Sequence, residues 1–210
     1  MKKIALLFLA ALPAISFAQQ KFTIIPGAGY SWRTAKISSG LPSDQREYIK
    51  SLKSGFHFDV SAYYRLNSTM GIGAKFNNYS AESDGNFVLR DVSGQTLTVS
   101  GTKDQITFVG PSFLYSNFES DTRHKLYYDL ALGVLSYTTD SGFMVGKGST
   151  FGLAATISYM YQIVPAVCVG PQLGFTGGVL SKMKFNGLES DLNGEKESLH
   201  RASLGLGAAF

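Results

Sequence analysis

Residues 54–66, SGFHFDVSAYYRL, decide the fold. Phe56, Phe58, Val60, Ala62, Tyr64 and Leu66 fall on one side of an extended chain, and Gly55, His57, Asp59, Ser61, Tyr63 and Arg65 on the other. Successive side chains of a strand point to opposite faces, so this stretch has one greasy face and one small or polar face. The same period recurs in both directions. Upstream it takes in Phe22, Ile24, Ala28, Tyr30 and Trp32, interrupted by Pro26; downstream it takes in Met70, Ile72, Ala74 and Phe76.

Later segments repeat it. Leu126, Tyr128, Leu130, Leu132 and Val134 alternate with Tyr127, Asp129, Ala131 and Gly133, and Phe151, Leu153, Ala155, Ile157, Tyr159 and Tyr161 form a further series. Val167, Val169, Leu173, Phe175 and Val179 define a seventh strand, and Leu204, Leu206, Ala208 and Phe210 an eighth. The fourth, over 105–116, is irregular. Ile106 and Phe108 hold one phase and Val109, Phe113 and Tyr115 the other, which predicts a register-shifting bulge near Gly110-Pro111.

Connections between these segments alternate in length. Residues 34–52, 81–103, 139–149 and 181–196 are the longer ones, while 67–69, 117–124 and 163–166 are short. Long loops therefore lie at one end, and an even strand number returns both termini to the other. Within 81–103, Phe87-Val88-Leu89 and Thr96–Val99 around Ser93-Gly94 read as a hairpin standing above the barrel.

Composition says what surrounds the strands. Charged residues make up 16% of the chain, where about 25% is usual, and aromatics reach 13%. A soluble barrel with its apolar face turned inward would need a Lys- and Glu-rich outer face. The second face here carries mainly Gly, Ser, Thr, Ala and Tyr with isolated charges, which suits the inside of a narrow barrel. After residue 18 no apolar run is long enough for a membrane helix. A closed barrel, which pairs every backbone polar group between strands, is the remaining way to cross a bilayer. Phe22, Trp32, Tyr64, Tyr128, Tyr161 and Phe210 are expected in its interfacial aromatic girdles.

The first residues carry an export signal. Lys2 and Lys3 precede an apolar stretch from Ile4 to Ile15, and Ser16-Phe17-Ala18 precedes Gln19. This reads as a signal peptide over 1–18, leaving a single barrel domain over 19–210. Without Lys2 and Lys3, 17 basic residues face 15 acidic ones, so no affinity for nucleic acid is expected. The lone Cys168 excludes a disulfide framework and reads as a small buried side chain.

With these features and the terminal Ser203-Leu-Gly-Leu-Gly-Ala-Ala-Phe210, the chain resembles the OmpA/OmpX-like eight-stranded outer-membrane β-barrels. Gly110-Pro-Ser-Phe-Leu-Tyr115 and Gly170-Pro-Gln-Leu-Gly-Phe175 are similar to strands of the outer membrane protein beta-barrel domain group of Bacteroidetes-type bacteria. The resemblance implies an all-β, antiparallel up-and-down barrel in the bacterial outer membrane, with lipid around it. It also implies that the barrel assembly machinery recognises the C-terminal Phe210. It implies location and architecture but no particular biochemical activity, because such barrels serve as adhesins, stabilisers and occasional enzymes.

Inward charges are the candidate site: His57, Asp59 and Arg65 on strand two, Lys75 on strand three and Asp129 on strand five. Buried charges need partners, so an interior polar network is expected. The interior of eight strands is too narrow for free solute flow, and a narrow ion channel is the lesser reading. A lipid A-modifying enzyme would need Ser, His and acid together. His57 faces inward, His124 falls in a short turn, and Ser198 and His200 lie about 7 Å apart on one face, too far for a hydrogen bond. Gly142–Ser149 imitates a phosphate loop with the wrong glycine spacing, and the acidic run Asp191–Glu197 lacks the glycine and distal glutamate of a calcium loop. No cofactor or metal is expected. The expectation is a monomeric, non-catalytic barrel with a structural role, or one that meets a surface ligand through its long loops.

Overall fold

A computed structural model describes residues 21–35, 43–90, 96–118, 121–191 and 196–210. The expected signal peptide and the tip of the 81–103 hairpin, including Ser93-Gly94, lie outside these residues. Eight strands close into a ring: β1 (Phe22–Arg33), β2 (Ser54–Arg65), β3 (Met70–Arg90), β4 (Thr96–Ser116), β5 (His124–Asp140), β6 (Val145–Val164), β7 (Val167–Leu180) and β11 (Arg201–Ala209); the short strands β8 (Lys182–Phe185), β9 (Leu188–Asp191) and β10 (Glu197–Ser198) come between the last two. Each pairs antiparallel with the next, and β11 pairs with both β7 and β1 to complete the circle. Closure leaves the barrel no unpaired edge.

Alternation fixes which side faces out. Val60 is 40% and Leu132 65% exposed, while His57, Asp59, Ser61 and Tyr63 between and beside the outward residues of β2 are buried. Pro26, opposite Val60 on the outward face, leaves the β1–β2 register unbroken. A belt of exposed aromatic and aliphatic side chains thus circles the barrel. Its rims are aromatic: Phe22 and Tyr64 meet edge to face at 5.3 Å and Tyr115 and Tyr128 at 6.4 Å at the short-turn end, and Tyr30 and Trp32 meet at 5.4 Å near the other.

Short connections are held by side chains. Asn67 Oδ1 accepts the backbone N–H groups of Thr69 and Met70 at 2.9 and 2.8 Å, closing the β2–β3 turn, and Asn117 Oδ1 accepts that of Leu126 at 2.8 Å before β5. At the far end β3 and β4 run on as a hairpin to Arg90 and Thr96, as their alternation predicts. Helix α1 (Ser43–Ser51), which the strand pattern does not reveal, lies against this extension. Its Ser51 hydroxyl donates to Ser83 Oγ at 2.6 Å, and Tyr48 hydrogen-bonds Thr102.

The bulge expected at Gly110-Pro111 is absent. The β3–β4 register runs without a shift from Met70↔Tyr115 to Ser83↔Thr102, and slips only between Ser83 and Asn86. Ile106 and Phe108 point inward, and Val109, Phe113 and Tyr115 outward, on one regular strand. The phase is blurred in the sequence because the inside of the barrel is itself apolar at that level. Two apolar clusters fill the interior, one around Tyr79, Ile106, Phe108, Leu135, Leu180 and Met183, the other around Ile25, Tyr63, Leu114, Tyr127, Met160 and Cys168.

Candidate functional site

Between the two apolar clusters lies a polar layer. Inward positions on β2, β3 and β5 at that height are Asp59, Lys75 and Asp129; β2 and β3 are neighbours, and β4, with Ser112 inward, lies between β3 and β5. Lys75 Nζ lies 3.1 Å from Asp129 Oδ1 and donates to Thr156 Oγ1 at 2.7 Å. Ser112 Oγ donates to Asp129 Oδ2 at 3.0 Å and lies 3.1 Å from the Tyr63 hydroxyl. On β2, beside Lys75, His57 Nε2 stands 3.7 Å from Asp59 Oδ1. Partnering of this kind is what lets charges stay in a dry interior.

Gln172 crosses this layer from β7. A Cβ at Gly27 would sit 2.2 Å from its Oε1, and one at Gly207 would sit 2.1 Å from its Nε2. Since Gly27 and Gly207 are opposite each other on β1 and β11, their missing side chains make the slot in which the amide lies.

Of the five inward charges, the structure brings together His57, Asp59, Lys75 and Asp129, and places Arg65 elsewhere. Arg65 ends β2 at the short-turn end, where its Nε donates to Thr23 Oγ1 at 2.8 Å and its guanidinium lies 4.5 Å from the Phe118 ring centroid. It lines a cavity of about 130 Å³ there, with Tyr127 and Cys168. Strand phase identifies the face of a residue but not its height.

Two further arginines join the interior. Arg201, 1% exposed, donates to Asn77 Oδ1 and lies 5.3 Å from the Tyr79 ring centroid. Arg33 closes the long-loop end, with Nη1 3.1 Å from Asp104 Oδ2, Nη2 on Glu197, and its guanidinium over the Tyr137 ring. Both lie one step past the alternating segments, in phase with Ser31 and Ser203, so extending the period by two residues finds them. Just above, Lys53 donates to the Ala35 carbonyl. Burial, and then the Arg33 charge, make its ammonium easier to deprotonate than an ordinary lysine.

The layer is packed. Two voids of about 10 Å³ each lie along it, both touching Asp59, Lys75 and Gln172, and each has room for about one water molecule. Apolar side chains seal it above and below.

The histidines are dispersed. His124 opens β5 instead of lying in a turn, and its Nδ1 is 2.5 Å from the Tyr159 hydroxyl, in the aromatic rim. His200 packs its ring on Phe175 at 6.1 Å. Glu197 and the Ser198 carbonyl are both held by Arg33. Among the described residues no hydrogen bond joins Ser198 to His200, and no group of His, Cys, Asp and Glu suited to a metal is present.

No family model matches the chain, and no curated protein matches it significantly. Solved structures do. Neisserial surface protein A is 16% identical, with 90% of this chain and 95% of that one covered at a TM-score of 0.55. OprG, an outer membrane protein of Pseudomonas aeruginosa, is 11% identical, with 90% and 96% covered at a TM-score of 0.51. Identities so low speak to the fold. They show that this chain is an eight-stranded antiparallel barrel of the same architecture as these bacterial outer-membrane proteins, with a continuous belt of exposed apolar side chains fit to face lipid.

Proposed function

We propose that the barrel is a non-catalytic platform that carries a surface-interaction site on its long loops. The observation behind this reading is the way the long-loop end is built. Helix α1 is pinned to the β3–β4 extension through Ser51–Ser83, Tyr48–Thr102 and a 3.1 Å hydrogen bond from the Tyr79 hydroxyl to the Leu52 carbonyl. The filled interior supports the same reading, since a rigid, plugged barrel suits presentation better than passage. Phe210, whose backbone N–H and C=O exchange hydrogen bonds with Ile24, sits at the short-turn rim, a suitable place for recognition by the assembly machinery.

The test is a variant in which 34–52, 81–103 and 181–196 become short turns. Both forms, refolded into vesicles, are screened on protein and glycan arrays. Every signal given by the full barrel should vanish in the trimmed one. Signals of equal strength from both would refute a loop-borne function.

A further inference from the structure

The outward face of the β5–β6 pair changes character at one level. Going up, the directly opposed pairs are Leu132↔Leu153, Val134↔Phe151, Ser136↔Ser149 and Thr138↔Lys147. The greasy belt therefore ends at Phe151, which is 84% exposed. Lys147 follows four residues on, about 13 Å along the strand and about 10 Å in height once the strand is tilted. That is headgroup depth for a lysine able to bend its ammonium toward the interface.

Strand β8 (Lys182–Phe185) adds two more lysines at this level. It continues β7 along β6 after a slip of one residue: the pairs Leu153↔Gly177 and Gly152↔Gly178 give way to Lys147↔Lys184 and Gly146↔Phe185. The slip reverses which parity faces outward. Met183 is buried and Phe185 packs on the upper apolar cluster, so Lys182 and Lys184 are forced to the outside. A two-residue turn, Asn186-Gly187, both at positive φ, then returns the chain as β9 (Leu188–Asp191).

The result is an electrostatic imbalance. Lys147 and Lys184 are directly opposite on one face, an arrangement that repels. Glu189 lies 3.6 Å from Lys182 and 3.9 Å from Lys184, while among the described residues Lys147 has no ion pair. Three ammonium groups line a groove of about 410 Å³ with Glu189 as its one carboxylate; Asp191 faces Lys182 across the β8–β9 pair, so the positive excess falls at Lys147 and Lys184, and the lower wall carries Ser136 and Ser149.

We propose that this groove binds the phosphate of an outer-leaflet lipid headgroup. Lys147, Lys182 and Lys184 hold the anion, the serines and Thr138 meet the polar headgroup, and the acyl chains run down over Phe151 and Val134. Charge complementarity and continuity with the lipid belt select a lipid as the occupant. Lys182 and Lys184 lie within 181–196, which the trimmed barrel lacks, so lipid binding is tested by point substitutions in the full barrel, where it can fail while loop recognition persists.

The test uses the full mature barrel in a phosphate-free glycoside detergent, titrated with a phosphorylated glucosamine-based lipid, its dephosphorylated counterpart and inorganic phosphate, and read by native mass spectrometry. The phosphorylated lipid should be retained, the dephosphorylated form should not, and inorganic phosphate should not displace the lipid at equal concentration. Each lysine removed should weaken retention about fivefold, so Lys147→Gln, Lys182→Gln and Lys184→Gln together should weaken it on the order of a hundredfold. Heat-dependent gel mobility checks folding; if the triple variant fails it, Lys147→Gln and Lys184→Gln singly carry the test. Equal retention of both lipids, no effect of the substitutions, displacement by free phosphate, or a preference of these lysines for a sulfated polysaccharide would each overturn the assignment.

Discussion

Lys75 and Asp129 show what a buried charge demands. Both are almost wholly enclosed, and each satisfies the other together with a hydroxyl, from Thr156 or Ser112. Removing one partner strands the other in a medium that solvates it poorly. Lys75→Met is therefore expected to cost about 3–5 kcal/mol, while Lys75→Met with Asp129→Leu should recover most of that loss. Urea unfolding in lipid vesicles measures both, and a double variant as unstable as the single one would contradict this account. At this scale the sequence was informative about chemistry but silent about height. His57, Asp59, Lys75 and Asp129 are inward by phase and meet, yet Arg65, equally inward, lies beside Phe118 at the short-turn end, because level is set by shear between strands and not by any one strand.

Among the elements, the strands were the most legible. Their outward faces follow from alternation because lipid rewards a continuous apolar stripe, which no other local preference competes with. Leu130 sits mid-belt, so Leu130→Arg should destabilise the barrel by about 2–4 kcal/mol, whereas Ser149→Arg, above the belt on β6, should cost under about 1 kcal/mol. Equal costs at the two depths, measured by the same urea titration, would mean that the belt is not where the pattern puts it. The supposed bulge at Gly110-Pro111 had a specific cause: Ile106 and Phe108 are core residues of an apolar plug, so both faces of β4 are greasy and the period blurs. Helix α1 and the β8–β9 hairpin were hidden inside segments read as loops, although Asn186-Gly187 between Lys182–Phe185 and Leu188–Asp191 is a recognisable hairpin signal.

The whole molecule is a cylinder whose two surfaces obey different solvents. Outside, lipid requires an apolar belt edged with aromatics; inside, apolar side chains cap a polar layer with room for about one water in each of two voids. Ring closure joins these requirements, since one register decides at once what faces lipid and which charges meet. Closure itself could be read from strand parity and loop lengths, but the identity of the plugs could not, because they arise from residues of different strands that meet only after the barrel forms. The most direct measurement is methyl-resolved NMR of the protein in bilayer nanodiscs, recording magnetisation transfer from lipid acyl chains. Leu130, Leu132 and Leu153 should receive it, and Leu114, Ala131 and Leu135 should not. Transfer to the second set in place of the first, or water contact at Leu132, would contradict the barrel described here.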